Sequence, residues 1–131
     1  MGQFLLLKPH EVIAIHDAVI GKNELQGLAK DKSLEATLER VFNRVIYGFI
    51  TDEFELAACY ATFLARGHCF QDANKRTAMA ILYLVLNIHQ IDIKFKTNEV
   101  GDWIIKVAVG ASDEKDLAQW LRNLSQEISK S

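Results

Sequence analysis

Residues 74–89 read Asn-Lys-Arg-Thr-Ala-Met-Ala-Ile-Leu-Tyr-Leu-Val-Leu-Asn-Ile-His, and the middle of this stretch, from Ala78 to Leu86, is apolar throughout. A helix that is apolar around its whole circumference must be surrounded by other parts of a soluble protein. The run is too short to cross a bilayer, which takes about 20 apolar residues. This stretch therefore predicts the central helix of a helical bundle.

The helix that precedes it in the chain is predicted from Phe54 to Arg66 and is apolar on most of its circumference. Thr51 or Asp52 is expected to cap its N-terminus, and Gly67 follows its C-terminus, as glycine often does. Because two such helices in sequence must both be covered, we expect this one to be largely buried as well.

Further helices are predicted from glycine, proline and capping residues. They run from Pro9 to Gly21, from a Ser33 cap to Gly48, from Val100 to Gly110, and from a Ser112 cap to Ile128. A short alternation from Ile91 to Phe95 indicates a strand or an extended turn. The sequence therefore predicts a single all-α domain over residues 1–131, with about six helices.

Composition limits the classes of function. With 15 Lys and Arg against 17 Asp and Glu, the formal net charge is −2, whereas proteins that bind nucleic acid directly present a basic surface. The N-terminus lacks the basic region and long apolar run of a signal peptide. Cys59 and Cys69 have no zinc-binding or redox spacing, which indicates reduced thiols. These features predict a soluble cytoplasmic protein that binds neither nucleic acid nor membrane.

The polar segment between the two most apolar helices carries the chemistry: His68-Cys69-Phe70-Gln71-Asp72-Ala73-Asn74-Lys75-Arg76-Thr77. Lys75 and Arg76 fall in the first turn of the central helix, where the helix dipole disfavours cations. Such a placement suggests an absent anion. Free backbone N–H groups at a helix start, with Arg and Lys beside them, form a binding site for phosphate.

Two further side chains of this segment fit chemistry at a bound phosphate. Asp72 offers a carboxylate of the kind that holds the magnesium ion accompanying nucleotide phosphates. His68 begins the same segment and is placed to accept a proton from an attacking hydroxyl. The pattern therefore predicts a phosphoryl- or nucleotidyl-transferring enzyme with a base beside an anion site.

These residues resemble the Fic-family motif HxFx(D/E)GNGRxxR, in the form found in the Doc, or death-on-curing, toxins. An Ile-His-Asp sequence at 15–17, an Arg-Val-Ile-Tyr at 44–47 and a Thr-Asp at 51–52 are also Doc-like. The resemblance implies the Fic fold and a role for each motif residue. It makes His68 the general base, Phe70 the structural anchor of the loop, Asp72 the magnesium ligand, and Asn74 and Arg76 phosphate ligands.

Two departures from the motif bear on the reaction. Lys75 stands where the motif has its second glycine, and Met79 stands where it has its second arginine. A lysine side chain would block close backbone approach to a phosphate and would add a charge, so AMP transfer is disfavoured. Doc proteins share these departures. The resemblance then implies that ATP lies reversed, with Lys75 beside it, and that its γ-phosphoryl is transferred to a threonine of elongation factor Tu, which stops translation.

The resemblance also implies a partner. As the toxin of a type II toxin–antitoxin module, the chain is expected to bind a Phd-like antitoxin, whose C-terminal helix docks in a groove that the polar loop Gly21 to Lys32 could rim. Many Fic proteins inhibit themselves through a helix reading (S/T)xxxE(G/N), but Leu56 follows Glu55 here, so inhibition in trans is expected. Two alternatives remain: an AMP-transferring Fic enzyme that modifies a protein hydroxyl, and an inactive binding module.

Simpler structural roles compete with the functional ones. Asp72 could be the N-cap of the central helix, with or without a metal. Lys75 and Arg76 could lie along the surface with solvated charges. His16 is expected to be a buried, hydrogen-bonded histidine without a catalytic role. A Cys69 nucleophile is rejected, because adjacent residues rarely reach the geometry of a base–nucleophile pair.

Overall fold

A computed structural model describes residues 4–93 and 96–130, with side chains through residue 127. The helices are α1 (Pro9–Val19), α2 (Leu34–Ile46), α3 (Glu53–Gly67), α4 (Asn74–Ile88), α5 (Thr97–Ala108) and α6 (Glu114–Lys130). Within the described ranges there is no β-strand, and one isolated antiparallel bridge joins Leu28 to Phe70. The predicted all-α bundle of about six helices is confirmed.

The two helices with the most apolar sequences form the centre of the bundle. α3 packs against α2, α4, α5 and α6, while α4 packs against α1, α3 and α5. In α3, Ala57, Ala61 and Ala65 have no exposed surface, and such small side chains permit close approach between helices. Ile81 and Val85 of α4 are equally inaccessible. In the described part of the chain, no helix is long and apolar enough to cross a membrane.

Two of the predicted helix caps are confirmed. The Ser33 hydroxyl accepts a hydrogen bond from the Ala36 N–H at 3.0 Å. The Asp52 carboxylate accepts one from the Glu55 N–H at 2.8 Å, so that Asp52 rather than Thr51 caps α3. In each case a polar side chain satisfies an N–H group that has no partner within the helix.

The predicted Ser112 cap of α6 is wrong. The Asp113 carboxylate accepts the first-turn hydrogen bond from the Asp116 N–H at 2.9 Å, and the Ser112 hydroxyl donates instead to the Asp116 carboxylate at 3.0 Å. Serine and aspartate both cap helices well. The choice between neighbours therefore depends on where the chain enters the helix, which composition does not reveal.

The segment after α4 was predicted to be a strand or an extended turn, and over Ile91–Ile93, the part of it that the structure describes, it is not a strand. The Ile91 N–H donates to the Leu86 carbonyl at 3.0 Å, so this stretch closes the C-terminus of α4. Ile93 is buried. Lys94 and Phe95 lie outside the described residues, as does the side chain of Ile128, at the end of the last predicted helix.

Arg66 links the C-terminal end of α3 to that of α5. Its Nε donates to the Val107 carbonyl at 2.7 Å, and its Nη2 donates to the Ser112 carbonyl at 2.9 Å. The last carbonyls of a helix have no partner within it and carry partial negative charge. Arg66 therefore stabilises the end of a neighbouring helix through hydrogen bonds.

Tyr60 ties the N-terminal segment to the buried helix α3. Its hydroxyl donates to the Leu5 carbonyl at 2.7 Å and accepts from the Leu7 N–H at 2.8 Å. Burial raises the pKa of Tyr60 to about 12. The phenol therefore stays protonated, as its bond to Leu5 requires.

Replacing Tyr60 with phenylalanine should lower the free energy of unfolding by about 1–3 kcal/mol, because a buried N–H group loses its partner. Urea denaturation monitored by circular dichroism measures this change. Tyr47→Phe is the matched control, since Tyr47 is 72% exposed and its replacement should leave the midpoint unchanged. Equal midpoints for both variants would show that the Tyr60 hydroxyl contributes nothing to stability.

Candidate active site

The loop between α3 and α4, residues 68–73, is called the active-site loop below. It begins and ends in the left-handed backbone region, with φ of 49° at His68 and 64° at Ala73. For a residue with a Cβ atom this conformation costs roughly 1–2 kcal/mol. Ala73 stands where the Fic motif has a glycine, the residue that adopts a positive φ most readily. The turn therefore needs strong contacts elsewhere to hold it.

Asn74 supplies some of those contacts. Its Oδ1 accepts from the Phe70 N–H at 3.0 Å, and its Nδ2 donates to the Phe70 carbonyl at 2.8 Å. Both polar groups of this carboxamide are therefore used to hold the backbone of the loop. In this arrangement, the Asn74 donors left to meet a phosphate are its backbone N–H in the first turn of α4 and the second N–H of Nδ2.

His16 of α1 packs against the active-site loop. Its side chain is inaccessible to solvent, as predicted, and its ring stacks on that of Phe70, with centroids 3.9 Å apart and planes 5° from parallel. His16 Nε2 lies 2.9 Å from the Asp72 carbonyl oxygen. Because that oxygen only accepts, Nε2 is the donor. His16 therefore positions Asp72, a role that its Doc-like sequence context signalled without revealing its mechanism.

The alternative that Asp72 caps α4 is wrong. Ala73 occupies the N-cap position, and no side chain makes a capping hydrogen bond there. The Asp72 Oδ2 atom instead accepts from the Leu25 N–H at 2.7 Å. The backbone enters α4 through a left-handed residue, which places the Asp72 carboxylate one position too early to reach the first-turn N–H groups. Those groups are thus left without a cap.

The α1–α2 loop, residues 21–32, lies along the active-site loop. The Ala29 N–H donates to the Cys69 carbonyl at 2.8 Å, and the Gln71 N–H donates to the Gly27 carbonyl at 3.1 Å. Together with the bond from the Leu25 N–H to the Asp72 carboxylate, these two backbone bonds attach one loop to the other. Sequence patterns showed a polar loop here, but not what it pairs with.

Arg76 of α4 is paired with Glu24 of the α1–α2 loop. Its Nη1 donates to the Val19 carbonyl at 3.0 Å and to Glu24, and its Nη2 lies 3.3 Å from Glu24 Oε2. The Gly21 N–H also donates to Glu24, at 2.6 Å. The hydrogen bond from Arg76, followed by that from Gly21, holds the pKa of the Glu24 carboxyl below its usual value. The Glu24 carboxylate is therefore paired with Arg76, the arginine that was expected to bind phosphate.

His68 and Lys75 are both exposed. Over the described ranges, the His68 ring has no hydrogen-bond partner and the Lys75 ammonium has no ion-pair partner. Both side chains line a cavity of about 480 Å³ together with Asp72, Asn74 and Arg76. The structure therefore brings five polar residues of the predicted site to one cavity.

The cavity also has an apolar part that sequence reasoning missed. It is lined by Met79 of α4 and by Gly101, Ile104 and Ile105 of α5. Glu24 completes the polar side. Neither Glu24 nor α5 belongs to the motif, and no short-range pattern connects them to it. The packing of α5 against α4 brings the α5 residues to the site, and the α1–α2 loop brings Glu24 to Arg76.

The cysteines have structural surroundings. The Cys69 side chain is buried, and its Sγ lies 3.3 Å from the Thr37 hydroxyl of α2. Burial raises the pKa of the Cys59 thiol, and the nearby Glu114 carboxylate raises it further. A protonated, buried thiol is a poor nucleophile. These surroundings support the rejection of a cysteine enzyme.

Asp72 is a residue that could hold a magnesium ion through one carboxylate oxygen. Its Oδ2 is used by Leu25, while its other carboxylate oxygen has no hydrogen-bond partner among the described residues. Those residues include no group of three or more His, Cys, Asp or Glu side chains that could hold a metal. One carboxylate suits magnesium that arrives with nucleotide phosphates and keeps most of its waters.

Comparison with known proteins places this arrangement in a family. The model of the Fic/DOC family matches residues 6–86, from the segment before α1 to α4. The chain therefore belongs to the Fic/DOC family. Over 121 residues it is 41% identical to the protein kinase doc of Escherichia phage P1, an alignment that covers 90% of this chain and 94% of that protein. The resemblance to Doc is confirmed and extends beyond the range of the family model.

The Glu24–Arg76 pair leads to a prediction about anions. Glu24→Gln should raise the affinity for inorganic pyrophosphate about tenfold, because it removes a negative charge from the anion site. Isothermal calorimetry at neutral pH measures the affinity. The lowered pKa keeps the Glu24 carboxylate of the wild type ionised at that pH, and its pairing with Arg76 is lost only as pH falls through that pKa.

Glu39→Gln serves as the matched control, because Glu39 is exposed on α2 and lies outside the cavity. It should leave the affinity unchanged. Equal affinities for the wild type and both variants would mean that Glu24 does not compete for the anion site.

Proposed function

We propose that the chain is an ATP-dependent protein kinase of the Fic/Doc type and the toxin of a type II toxin–antitoxin module. It transfers the γ-phosphoryl of ATP to a threonine of elongation factor Tu in the cytoplasm, with residues 1–131 acting as one Fic/Doc domain. The main support is the cavity in which His68 and Asp72 lie beside Arg76 and the uncapped start of α4. The similarity to the protein kinase doc of phage P1 supports kinase chemistry.

Phosphate binding is assigned to the start of α4. The first-turn N–H groups lack a side-chain cap, and they point toward the position where a helix dipole favours negative charge. Arg76 adds a planar guanidinium that suits phosphate oxygens, and it must first exchange Glu24 for the nucleotide. Lys75 supplies a second positive charge at the edge of the cavity.

Asp72 is assigned to magnesium through its carboxylate oxygen that has no protein partner among the described residues. When bound with ATP, magnesium neutralises charge that develops on the phosphates. The Leu25 and His16 contacts hold Asp72 on both its carboxylate and its carbonyl. Asp72 therefore needs little reorganisation when the nucleotide arrives.

His68 is assigned the role of general base. Its exposed ring lines the cavity at the end of α3, where it can take the proton of the attacking threonine hydroxyl. The threonine oxygen then forms a bond to the γ-phosphorus, and the bond from that phosphorus to the β–γ bridging oxygen breaks. ADP leaves with the electron pair of that bond, while His68 keeps the proton.

The choice of γ-phosphoryl over AMP transfer is supported by Lys75 and Met79. Lys75 stands at the second glycine position of the Fic motif. Its long side chain prevents the close approach of backbone to phosphate that a glycine would permit. Met79 lines the same cavity without the charge of the motif's second arginine. AMP transfer to a protein hydroxyl is the second candidate, and an inactive binding module is a third.

A Phd-like antitoxin is the proposed inhibitor, acting in trans through its C-terminal helix. Doc proteins generally pair with an antitoxin, and the Thr51–Glu55 segment is engaged at the start of α3, where Glu55 accepts hydrogen bonds from Thr51. The α1–α2 loop is attached to the active-site loop through Leu25 and Asp72. A partner that moved this loop would therefore disturb the proposed magnesium ligand directly.

The test of the reaction is transfer of radioactive label to purified elongation factor Tu, with magnesium and ATP labelled at either the α or the γ phosphate. We expect label from γ only. Label from α would establish AMP transfer instead. No label from either position, with a wild-type protein as inert as a His68→Ala control, would rule out transfer to this target.

Two substitutions test the assigned roles. His68→Ala should reduce transfer at least about 100-fold, the usual contribution of a general base, without changing stability, because its ring has no hydrogen-bond partner among the described residues.

Asp72→Asn should abolish magnesium-dependent transfer, while its amide oxygen still accepts from Leu25. Initial rates and urea unfolding measure both effects. Full activity in either variant contradicts the corresponding assignment.

A further inference from the structure

The apolar part of the cavity is a wall that the phosphate chemistry leaves unused. Met79 is half-buried on α4, Ile104 is buried on α5, and Ile105 is 52% exposed. The wall shares one cavity with Arg76. Exposed apolar surface beside an anion site is suited to a ligand with a charged end and a flat apolar end.

Gly101 lies within the same wall and has no role in the fold that requires glycine. It sits inside α5, where glycine is less favourable than alanine. Apart from its chain neighbours and the backbone of its own helix, a Cβ atom added at Gly101 meets no described atom within 4 Å, whereas one at Gly67 meets Thr37 and Cys69 at 3.2 Å. Its backbone φ is not positive. Because Gly101 has no side chain, it leaves the cavity open at this point.

The direction of a bound nucleotide follows from the two sides of the cavity. With phosphates at Arg76, the nucleoside can extend toward the α1–α2 loop or toward α5. The first direction meets the Glu24 carboxylate and the Leu25–Asp72 hydrogen bond. The second meets apolar side chains, and the Met79 thioether makes favourable contacts with aromatic rings. The faces of a nucleobase are apolar and aromatic, which favours α5.

We propose that Met79, Gly101, Ile104 and Ile105 form the slot for the base of the nucleotide, and that Gly101 keeps this slot open. This inference rests on the proposed function, because it requires a nucleotide at Arg76. It makes Gly101 a specificity-determining residue that contacts the base and not the phosphates.

The experiment compares ATP with inorganic tripolyphosphate, which has the phosphates but no base. Calorimetry with magnesium measures both ligands on the full chain. Gly101→Leu should weaken ATP binding at least about tenfold, as expected when a buried aromatic group loses its contacts, and should leave tripolyphosphate binding unchanged. Arg76→Ala should weaken both. Asp102→Leu is the matched control on the same helix, since Asp102 is exposed and lies outside the cavity.

Each outcome decides the inference. Equal losses for ATP and tripolyphosphate in Gly101→Leu, or no loss for either, overturn the base slot. Unchanged ATP binding with a raised KM for elongation factor Tu would assign the wall to the protein substrate and also overturn it. Urea unfolding of Gly101→Leu should match or exceed that of the wild type, since leucine is the better helix former. A wild-type protein that binds neither ligand overturns the proposed function itself, and the slot with it.

Discussion

The carboxamide of Asn74 holds both backbone polar groups of Phe70, and the geometry of the site depends on this closure. The active-site loop must reverse the chain between two buried helices within a few residues. It does so with left-handed backbone at His68 and Ala73, which is unfavourable for residues with a Cβ atom. Stacking of Phe70 on His16 adds apolar contact below the turn. Local strain is thus balanced by side chains from α1 and α4.

Electrostatics explain how cations are accommodated at the start of α4. Arg76 and Lys75 stand where the helix dipole is unfavourable to them, and the α4 terminus has no side-chain cap. Glu24 pairs with Arg76 and so provides the negative charge that the site would otherwise lack. A phosphate offers more charge and more acceptor oxygens than one carboxylate. We therefore propose that Glu24 holds Arg76 in the free protein and gives way when a phosphate binds.

Sequence patterns located the helices well because each depends on local chemistry. The stripes of apolar residues and the Ser33 and Asp52 caps act within a few positions of one another, so periodicity and capping preference are sufficient to find them. The choice between Ser112 and Asp113, and the failure of Asp72 to cap α4, depend on backbone entry angles. Those angles follow from packing and not from residue type.

For the site, the sequence alone determined which side chains lie together along the active-site loop, because the motif residues are near neighbours in the chain and share one turn. The tertiary structure decided the rest. The Glu24 partner of Arg76, the contacts of His16 and Leu25 with Asp72, and the α5 wall all join residues far apart in sequence. Such contacts arise only when helices pack, because long-range proximity leaves no periodic or short-range pattern in the chain.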